Sequence, residues 1–314
     1  MLASLRICVG LPEKLMLASA LRLTNYVARH PLNRGRVGHA LLRLLAWQIG
    51  SRLVPGDVAV PYVNGTRLLV RHGQTGATGN IYCGLHDYED MAVTLHLLRP
   101  GDLFVDVGAN IGSYTVLAAG AARARCISIE PCPIAFARLR DHVLLNDLVQ
   151  QVTLHRVAVG EATGAVRFTS GLDTVNHVLG HGEDPDAIAV PMRRLDDILA
   201  DDPPTLIKID VEGYEARVLG GAKTTLRRPS LLAVLVELNG SAYRYGGTDD
   251  AVRSHLQDAG FVSARYDVPN RTLHVTTSKS EVGNTLYVRA GRAFDVVTER
   301  LRGAQQFEVA GRRV

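Results

Sequence analysis

Leu103-Phe104-Val105-Asp106-Val107-Gly108-Ala109-Asn110-Ile111-Gly112 is the stretch that decides the fold. An apolar run ends in a carboxylate, two glycines follow, and an apolar helical pattern continues through Tyr114, Val116, Leu117 and Ala118. This order reads as strand, tight turn and helix start. Gly108 supplies positive φ and room for a close approach. Free N–H groups at the helix start favour an electron-rich ligand group. Further on, Cys126-Ile127-Ser128-Ile129 runs into Glu130. A carboxylate at the tip of a second parallel strand suits the two hydroxyls of a ribose.

The turn also says which nucleotide to expect. A dinucleotide fingerprint places glycine where the backbone meets a pyrophosphate, and Asn110 stands there instead. Asp106, just before the turn, repels a phosphate but suits a cationic amino-acid headgroup, reached directly or through water. The expected ligand is an adenosine with an ammonium and a sulfonium and no phosphate, S-adenosylmethionine. Asp106, Gly108, Asn110, Gly112, Glu130 and Ala158 are the residues expected to hold it. The same two residues, Asp106 and Asn110, count against an NAD-dependent oxidoreductase.

A second stretch, Leu206-Ile207-Lys208-Ile209-Asp210-Val211-Glu212-Gly213-Tyr214-Glu215, is again a strand ending in a carboxylate, then a turn and an amphipathic helix. With it, the chain resembles the FkbM-type methyltransferases over roughly residues 80–265. The matching pieces, in order, are Gly84-Leu85-His86-Asp87-Tyr88-Glu89, Asp106 to Gly112, Glu130-Pro131, Val157-Ala158-Val159-Gly160, Val190-Pro191 with Leu195-Asp196-Asp197, Ile207 to Gly213, and Val236-Glu237. The resemblance implies methyl transfer to a hydroxyl of a small molecule or glycan, such as a sugar or a polyketide-like secondary metabolite. The competing class is a nucleotide-binding scaffold that has lost catalysis. Intact Asp106, Gly108, Glu130 and Asp210 argue against it.

Strand and helix patterns alternate from residue 103 onward, which gives a mainly parallel sheet with helices on both faces. The expected fold is therefore α/β, a Rossmann-like class I methyltransferase. Its sheet has seven strands, mostly parallel, the last pair supplying a reversed edge strand. Residues 1–80 form an N-terminal extension with two helices, broken near Pro31 to Gly35, and a hairpin turning at Asn64-Gly65. Residues 73–79 read as a glycine- and threonine-rich loop. Residues 81–292 form the catalytic domain, with an inserted hairpin near 165–169 and 187–191. Residues 293–314 read as a tail, loose from 297 on.

Ligands of open α/β sheets bind beyond the carboxyl ends of the strands, where Asp106, Glu130, Ala158, Asp210 and Glu237 stand. Methyl transfer needs acceptor oxygen, methyl carbon and sulfur in line, and an aliphatic hydroxyl must lose its proton. Asp210 is the first candidate for base or acceptor-positioning residue, with Lys208 on the same strand face to pair with it. His177, in the polar run Asp173-Thr174-Val175-Asn176-His177, is the rival base because its ordinary pKa lies near neutrality. Structural parts are open to each: a helix cap for Asp210, an ion pair for Lys208, an exposed loop position for His177. His86 and Glu89 are candidates to line the acceptor entrance, and Glu237 to join them. Asp210, Glu237 and Asn239 also offer oxygen ligands of the kind that suit Mg²⁺. However, Leu238 separates residues 237 and 239, and no metal is expected.

Composition sets the remaining bounds. The chain has 314 residues, 46% apolar and 21% charged, ordinary values for a folded domain. Four cysteines (Cys8, Cys83, Cys126, Cys132) show no C-x-x-C spacing and read as reduced structural thiols of a cytoplasmic protein. No signal peptide and no apolar membrane span are read. Residues 1–55 carry a net +7 against +4 for the whole chain. Two readings follow for this basic arm: a solvated helical face whose leucines pack on the catalytic domain, which is preferred, or peripheral contact with an anionic membrane. Nucleic acid is not an expected partner, because the basic residues lack interleaved aromatics.

Overall fold

A computed structural model describes residues 13–54, 56–169, 176–179, 186–276 and 283–314. Helices α1 (Glu13–Arg29) and α2 (Val37–Leu53) are separated by a short turn of helix at Pro31–Asn33. Strands β1 (Val58–Pro61) and β2 (Arg67–Val70) pair antiparallel. Asn64 and Gly65 turn between them with φ of 47° and 81°, the positive pair that such a turn needs. Residues expected as a loop are instead helix α3 (Thr75–Cys83). Burial of Ala77, Tyr82 and Cys83 overrides the weak helix propensity of the glycines. Gly79 has its own reason: a Cβ there would stand 3.0 Å from the Cβ of His86. Helix α4 (Tyr88–Leu97) then leads into the sheet and is buried from Met91 to Leu97.

The alternating part runs β3 (Leu103–Val107), α5 (Ser113–Thr115) extended by a π-helical turn Val116–Ala121, β4 (Arg125–Ile129), α6 (Pro133–Leu145) and β5 (Val152–His155). Next come β6 (Ala158–Val159), β7 (Gly164–Phe168), β8 (Ile188–Arg193) and α7 (Leu195–Leu199). Then follow β9 (Leu206–Ile209), α8 (Glu215–Gly220), β10 (Ala233–Leu238), α9 (Asp249–Asp258), β11 (Phe261–Asp267), β12 (Thr272–Val275) and β13 (Gly283–Arg289). Helix α10 (Arg292–Arg302) and the small hairpin of β14 (Glu308–Val309) and β15 (Arg312–Arg313) close the chain.

The central sheet has the order β12-β11-β13-β10-β9-β3-β4-β5. Strands β10, β9, β3, β4 and β5 are parallel, and β13 is antiparallel to both its neighbours. The sheet thus has eight strands where seven were expected. The extra strand, β12, lies on the edge with its last two residues exposed, so it lacks the apolar alternation that announces a strand. Odd and even positions face different cores. Leu103, Val105, Val107, Ile207 and Ile209 join one apolar cluster, while Phe104, Cys126, Leu206 and Leu235 join the other. Chain direction splits between β3 and β9. There the switch-point crevice opens, with Asp106 in register with Lys208.

The second cluster also takes in Val27, Leu32, Ala40 and Trp47 from the N-terminal arm and Phe307, Val309 and Val314 from the C-terminus. The tail is therefore packed, not loose: Val309 bridges to Val63 and is fully buried. Six charged residues and two glycines between 297 and 314 hide this in the sequence, although Val297, Leu301, Ala304, Phe307, Val309 and Val314 are buried. Val309→Ala is expected to cost roughly 1.5–3 kcal/mol, read as a lower denaturation midpoint in urea. An unchanged midpoint would return the tail to the loose state. Among the described residues no helix is long and apolar enough to cross a membrane.

Candidate active site

The turn after β3 is built around close backbone contacts. Gly108 has φ of 78°, and a Cβ there would sit 1.8 Å from the carbonyl oxygen of Asp210. Its lack of a side chain lets the β3 and β9 turns touch. The amides of the turn have partners within the protein. Gly108 and Ala109 N–H both donate to the Ile129 carbonyl at 3.0 Å, and Gly112 N–H donates to the Ala109 carbonyl. Asn110 N–H donates to Glu130 Oε2 at 2.8 Å. The expectation of free amides facing a ligand is corrected for these four. Asn110 adopts φ of 50°, a region that asparagine tolerates. Gly112, at φ of 91°, makes room for Leu139 of α6, whose Cδ1 would stand 2.5 Å from an added Cβ.

Glu130 ends β4 and lines a cleft of about 630 Å³. Its second oxygen accepts from Cys132 N–H at 2.8 Å. Each carboxylate oxygen keeps a further lone-pair site for a donor. Burial pushes the Glu130 carboxyl up to about 7, against the pull of its two amide donors. Gly108, Asn110, Ala158 and Asp210 line the same cleft. Its apolar wall includes Ile129, Pro131, Ala135, Phe168, Val178 and Tyr214. Phe168 ends β7 of the small sheet of β6, β8 and β7, and Val178 joins it through an isolated bridge. Tyr245 braces that wall: its hydroxyl donates to the Val178 carbonyl at 2.6 Å, and its ring meets Tyr214 edge-on at 4.9 Å.

At the far side of Asp210 lies a charged network. Lys208 Nζ is 2.8 Å from Asp210 Oδ2 and is only 4% exposed. Burial pulls the Lys208 ammonium down, but the Asp210 and Asp106 carboxylates outweigh it and hold the pKa above the usual lysine value. Burial pushes the other way on Asp210, and Lys208 outweighs it, keeping Asp210 an anion. Glu237 is raised by burial and by the neighbouring Asp210 charge, so it stays protonated beside that anion. Lys208 also lies over the Tyr114 ring at 4.7 Å. The Tyr114 hydroxyl is 3.3 Å from Asp87 Oδ2, and Asp87 Oδ1 is 3.1 Å from His86 Nε2. Asp90 adds a further carboxyl, pushed up to about 7 by desolvation and by Asp87.

The expected site residues separate into groups. Gly108, Asn110, Glu130, Ala158 and Asp210 share the cleft. Lys208, Glu237 and His86 belong to the network around Asp210. Asp106 is buried behind the turn, accepts from Thr115 Oγ1 at 2.8 Å and faces Lys208. It is not part of the cleft lining, and Gly112 packs against α6. Glu89 forms an exposed ion pair with Arg265 at 3.2 Å. The His177 carbonyl accepts from Thr169 N–H at 3.0 Å, His177 N–H donates to Thr169 Oγ1 at 2.9 Å, and its neighbours Asn176 and Val178 reach the cleft. Residues 173–175 of its run lie outside the described residues. For a metal, carboxylate oxygens of Asp210, Glu212 and Glu237 come within 4.8 Å of one another. Asn239 Oδ1 instead accepts from Ser241. The Lys208 ammonium already pairs with Asp210 Oδ2 at 2.8 Å. Glu212, Phe168, Asn176 and Tyr214 were missed from the sequence. The buried end of the β7 alternation was the available signal for Phe168. Glu212 was visible in the Asp210-Val211-Glu212-Gly213 run.

No curated protein matches the chain. Among solved structures, an FkbM methyltransferase from Methylobacillus flagellatus KT is 22% identical, with 67% of this chain aligned and a TM-score of 0.43. The match spans about half of that protein (52%). Precorrin-6y C5,15-methyltransferase from Geobacter metallireducens GS-15 is 12% identical over 70% of this chain and 95% of its own, with a TM-score of 0.40. M. jannaschii TYW2, solved in complex with AdoMet, is 12% identical over 76% and 88%, with a TM-score of 0.37. These likenesses are distant. The family model for the methyltransferase FkbM domain, in contrast, matches residues 106–263, half of the chain and the part that builds the cleft. The chain belongs to the FkbM methyltransferase family.

Proposed function

We propose that this methyltransferase binds S-adenosylmethionine in the cleft beside Glu130 and methylates a hydroxyl of a sugar, glycan or polyketide-like metabolite. The observation that carries this reading is the position of the anionic Asp210. It lines the cleft on one side and meets the carboxyl-rich network on the other. The residues fit the cofactor: Glu130 has acceptor sites left for ribose hydroxyls, and Phe168, Val178 and Ile129 offer an apolar wall to adenine. When bound, the cofactor supplies an electrophilic methyl on a sulfonium leaving group. Asp210 would accept a hydrogen bond from the acceptor hydroxyl, orient its oxygen and take up its proton as that oxygen is methylated and the sulfonium leaves as a thioether. Lys208 fixes the carboxylate for that task. Asp87, Asp90, Glu237 and His86 present several acceptors and few cations, a surrounding that suits a polyhydroxylated ligand.

The decisive experiment is transfer of label from S-adenosylmethionine into a panel of sugars, nucleotide sugars and polyketides. Label in an ether product supports the reading, and label in none of them with intact cofactor binding would favour the scaffold. Glu130→Ala is expected to weaken cofactor binding by roughly 1.5–3 kcal/mol, the worth of hydrogen bonds to a charged acceptor. Calorimetric titration measures it. A pH dependence follows as well. Ribose donors need the carboxylate form, and burial raises Glu130 to about 7. Affinity should therefore be full above neutrality and fall below it, with a slope approaching tenfold per pH unit. A flat profile between pH 6 and pH 8 would place the ribose elsewhere.

A further inference from the structure

The N-terminal arm carries an apolar face that nothing among the described residues covers. Leu42, Leu45, Ile49 and Leu53 of α2 are each more than half exposed, at 64%, 53%, 53% and 75%. At 3.6 residues per turn these four fall within an arc of about 80°. The opposite side of the helix is buried through Ala40, Trp47 and Ser51. So the helix is properly seated on the protein, and its second apolar stripe faces away. Val54, beyond the helix end, and Leu21 of α1 are also exposed apolar residues, at 53% and 61%.

The charges carried by residues 14–56 are all of one sign. Arg22, Arg29, Arg34, Arg36 and Arg52 are exposed, and the sequence has no Asp or Glu from residue 14 to residue 56. Arg52 flanks one edge of the stripe. An apolar stripe on a basic helical arm is the pattern of a helix that lies in a membrane interface. A second copy of this chain would bring the same excess of positive charge against itself. Nucleic acid would leave the leucines without a partner, and the arm's one tryptophan, Trp47, is buried inside.

We propose that the α1–α2 arm docks on an anionic lipid surface, with Leu42, Leu45, Ile49 and Leu53 in the headgroup–acyl boundary and the arginines on lipid phosphates. The arm is tied to the catalytic half: Tyr26 of α1 donates to the His86 carbonyl at 3.0 Å, and Arg43 of α2 donates to the Tyr82 carbonyl at 2.9 Å. A docked arm therefore holds the acceptor-side network at a fixed place relative to the lipid. The proposal is independent of which hydroxyl is methylated.

Flotation of the full chain with vesicles tests it. One set is phosphatidylcholine alone, and the other has a third of the lipid replaced by phosphatidylglycerol. Binding is expected to the anionic set only and to weaken several-fold as salt rises from 50 to 300 mM, since the arm's charges are screened. Leu45→Glu with Ile49→Glu, both at exposed sites, should cut binding at least tenfold while thermal midpoint and cofactor affinity stay unchanged. Arg22→Glu with Arg52→Glu should act similarly. Absence of binding to anionic vesicles overturns the proposal. So does binding that survives the Leu45/Ile49 pair but is lost on deleting residues 1–12. If sedimentation equilibrium shows a dimer that the same pair dissociates, the face belongs to a second copy and the membrane reading fails.

Discussion

Asp210→Asn is expected to lower the rate of methyl transfer by roughly 10²–10⁴, the range removed with a positioned proton acceptor. Cofactor affinity should change much less. The substitution keeps shape, so the cleft lining is preserved, and Glu130 on the neighbouring turn is untouched. Lys208 keeps the buried Asp106 carboxylate beside it, which limits the stability loss. The pairing with Lys208 has a chemical consequence. It keeps Asp210 ionised, so the group is ready at neutral pH, but it also makes the carboxylate a weaker base. Positioning of the hydroxyl is thus the larger share of its work, and proton departure the smaller. A single-turnover assay under saturating cofactor separates the two quantities. His177→Gln and His86→Gln are the paired controls. A large loss in His177→Gln with an active Asp210→Asn enzyme moves the base assignment to His177. Loss in His86→Gln points to the His86–Asp87 pair. If EDTA abolishes activity and Mg²⁺ restores it, Asp210 acts as a ligand together with Glu212 and Glu237.

The parts of this molecule legible in the sequence are those where local pattern and tertiary demand agree. Residues 103–107 and 206–209 are apolar apart from Asp106 and Lys208 because both faces of the sheet are covered, and such runs read plainly as buried parallel strands. The Asn64-Gly65 turn was equally plain. Elements held by a few long-range contacts were hidden. Helix α3 contains glycines that no propensity favours, yet Ala77, Tyr82 and Cys83 pull it into the core. The terminal hairpin owes its order to Phe307, Val309 and Val314 among charged neighbours.

The site divides in the same way. Residues at strand tips, Glu130 and Asp210, follow from topology alone. The apolar wall does not, because Phe168 and Val178 reach the cleft only through the inserted sheet of β6, β8 and β7. The burial of Asp106 was also not legible. Its position at a strand end suggested a ligand contact, whereas the fold buries it against Thr115 and Lys208.

Gly108→Ala and Gly108→Val are expected to be nearly equally damaging, and this equality is the point of the test. A ligand clash grows with side-chain size, so it would spare alanine relative to valine. A backbone clash is complete at the first carbon. In the structure an added Cβ lies 1.8 Å from the Asp210 carbonyl oxygen and 2.9 Å from its carbon. Neither atom can yield alone. The Asp210 amide is held by the Val107 carbonyl at 3.0 Å, and the Gly108 amide is held by Ile129 at 3.0 Å. Relief requires the β3 and β9 turns to part, which breaks those bonds and opens the floor under Glu130. The positive φ of 78° adds strain for either side chain. Together these place both variants among the severe cases, costing more than about 4 kcal/mol. Urea denaturation followed by circular dichroism should show a large loss of midpoint in each, or no soluble protein. A Gly108→Ala protein with the wild-type midpoint that fails only to bind S-adenosylmethionine would reverse the assignment. The glycine would then serve ligand approach, and the contact between the two turns would not be what holds the switch-point crevice in shape.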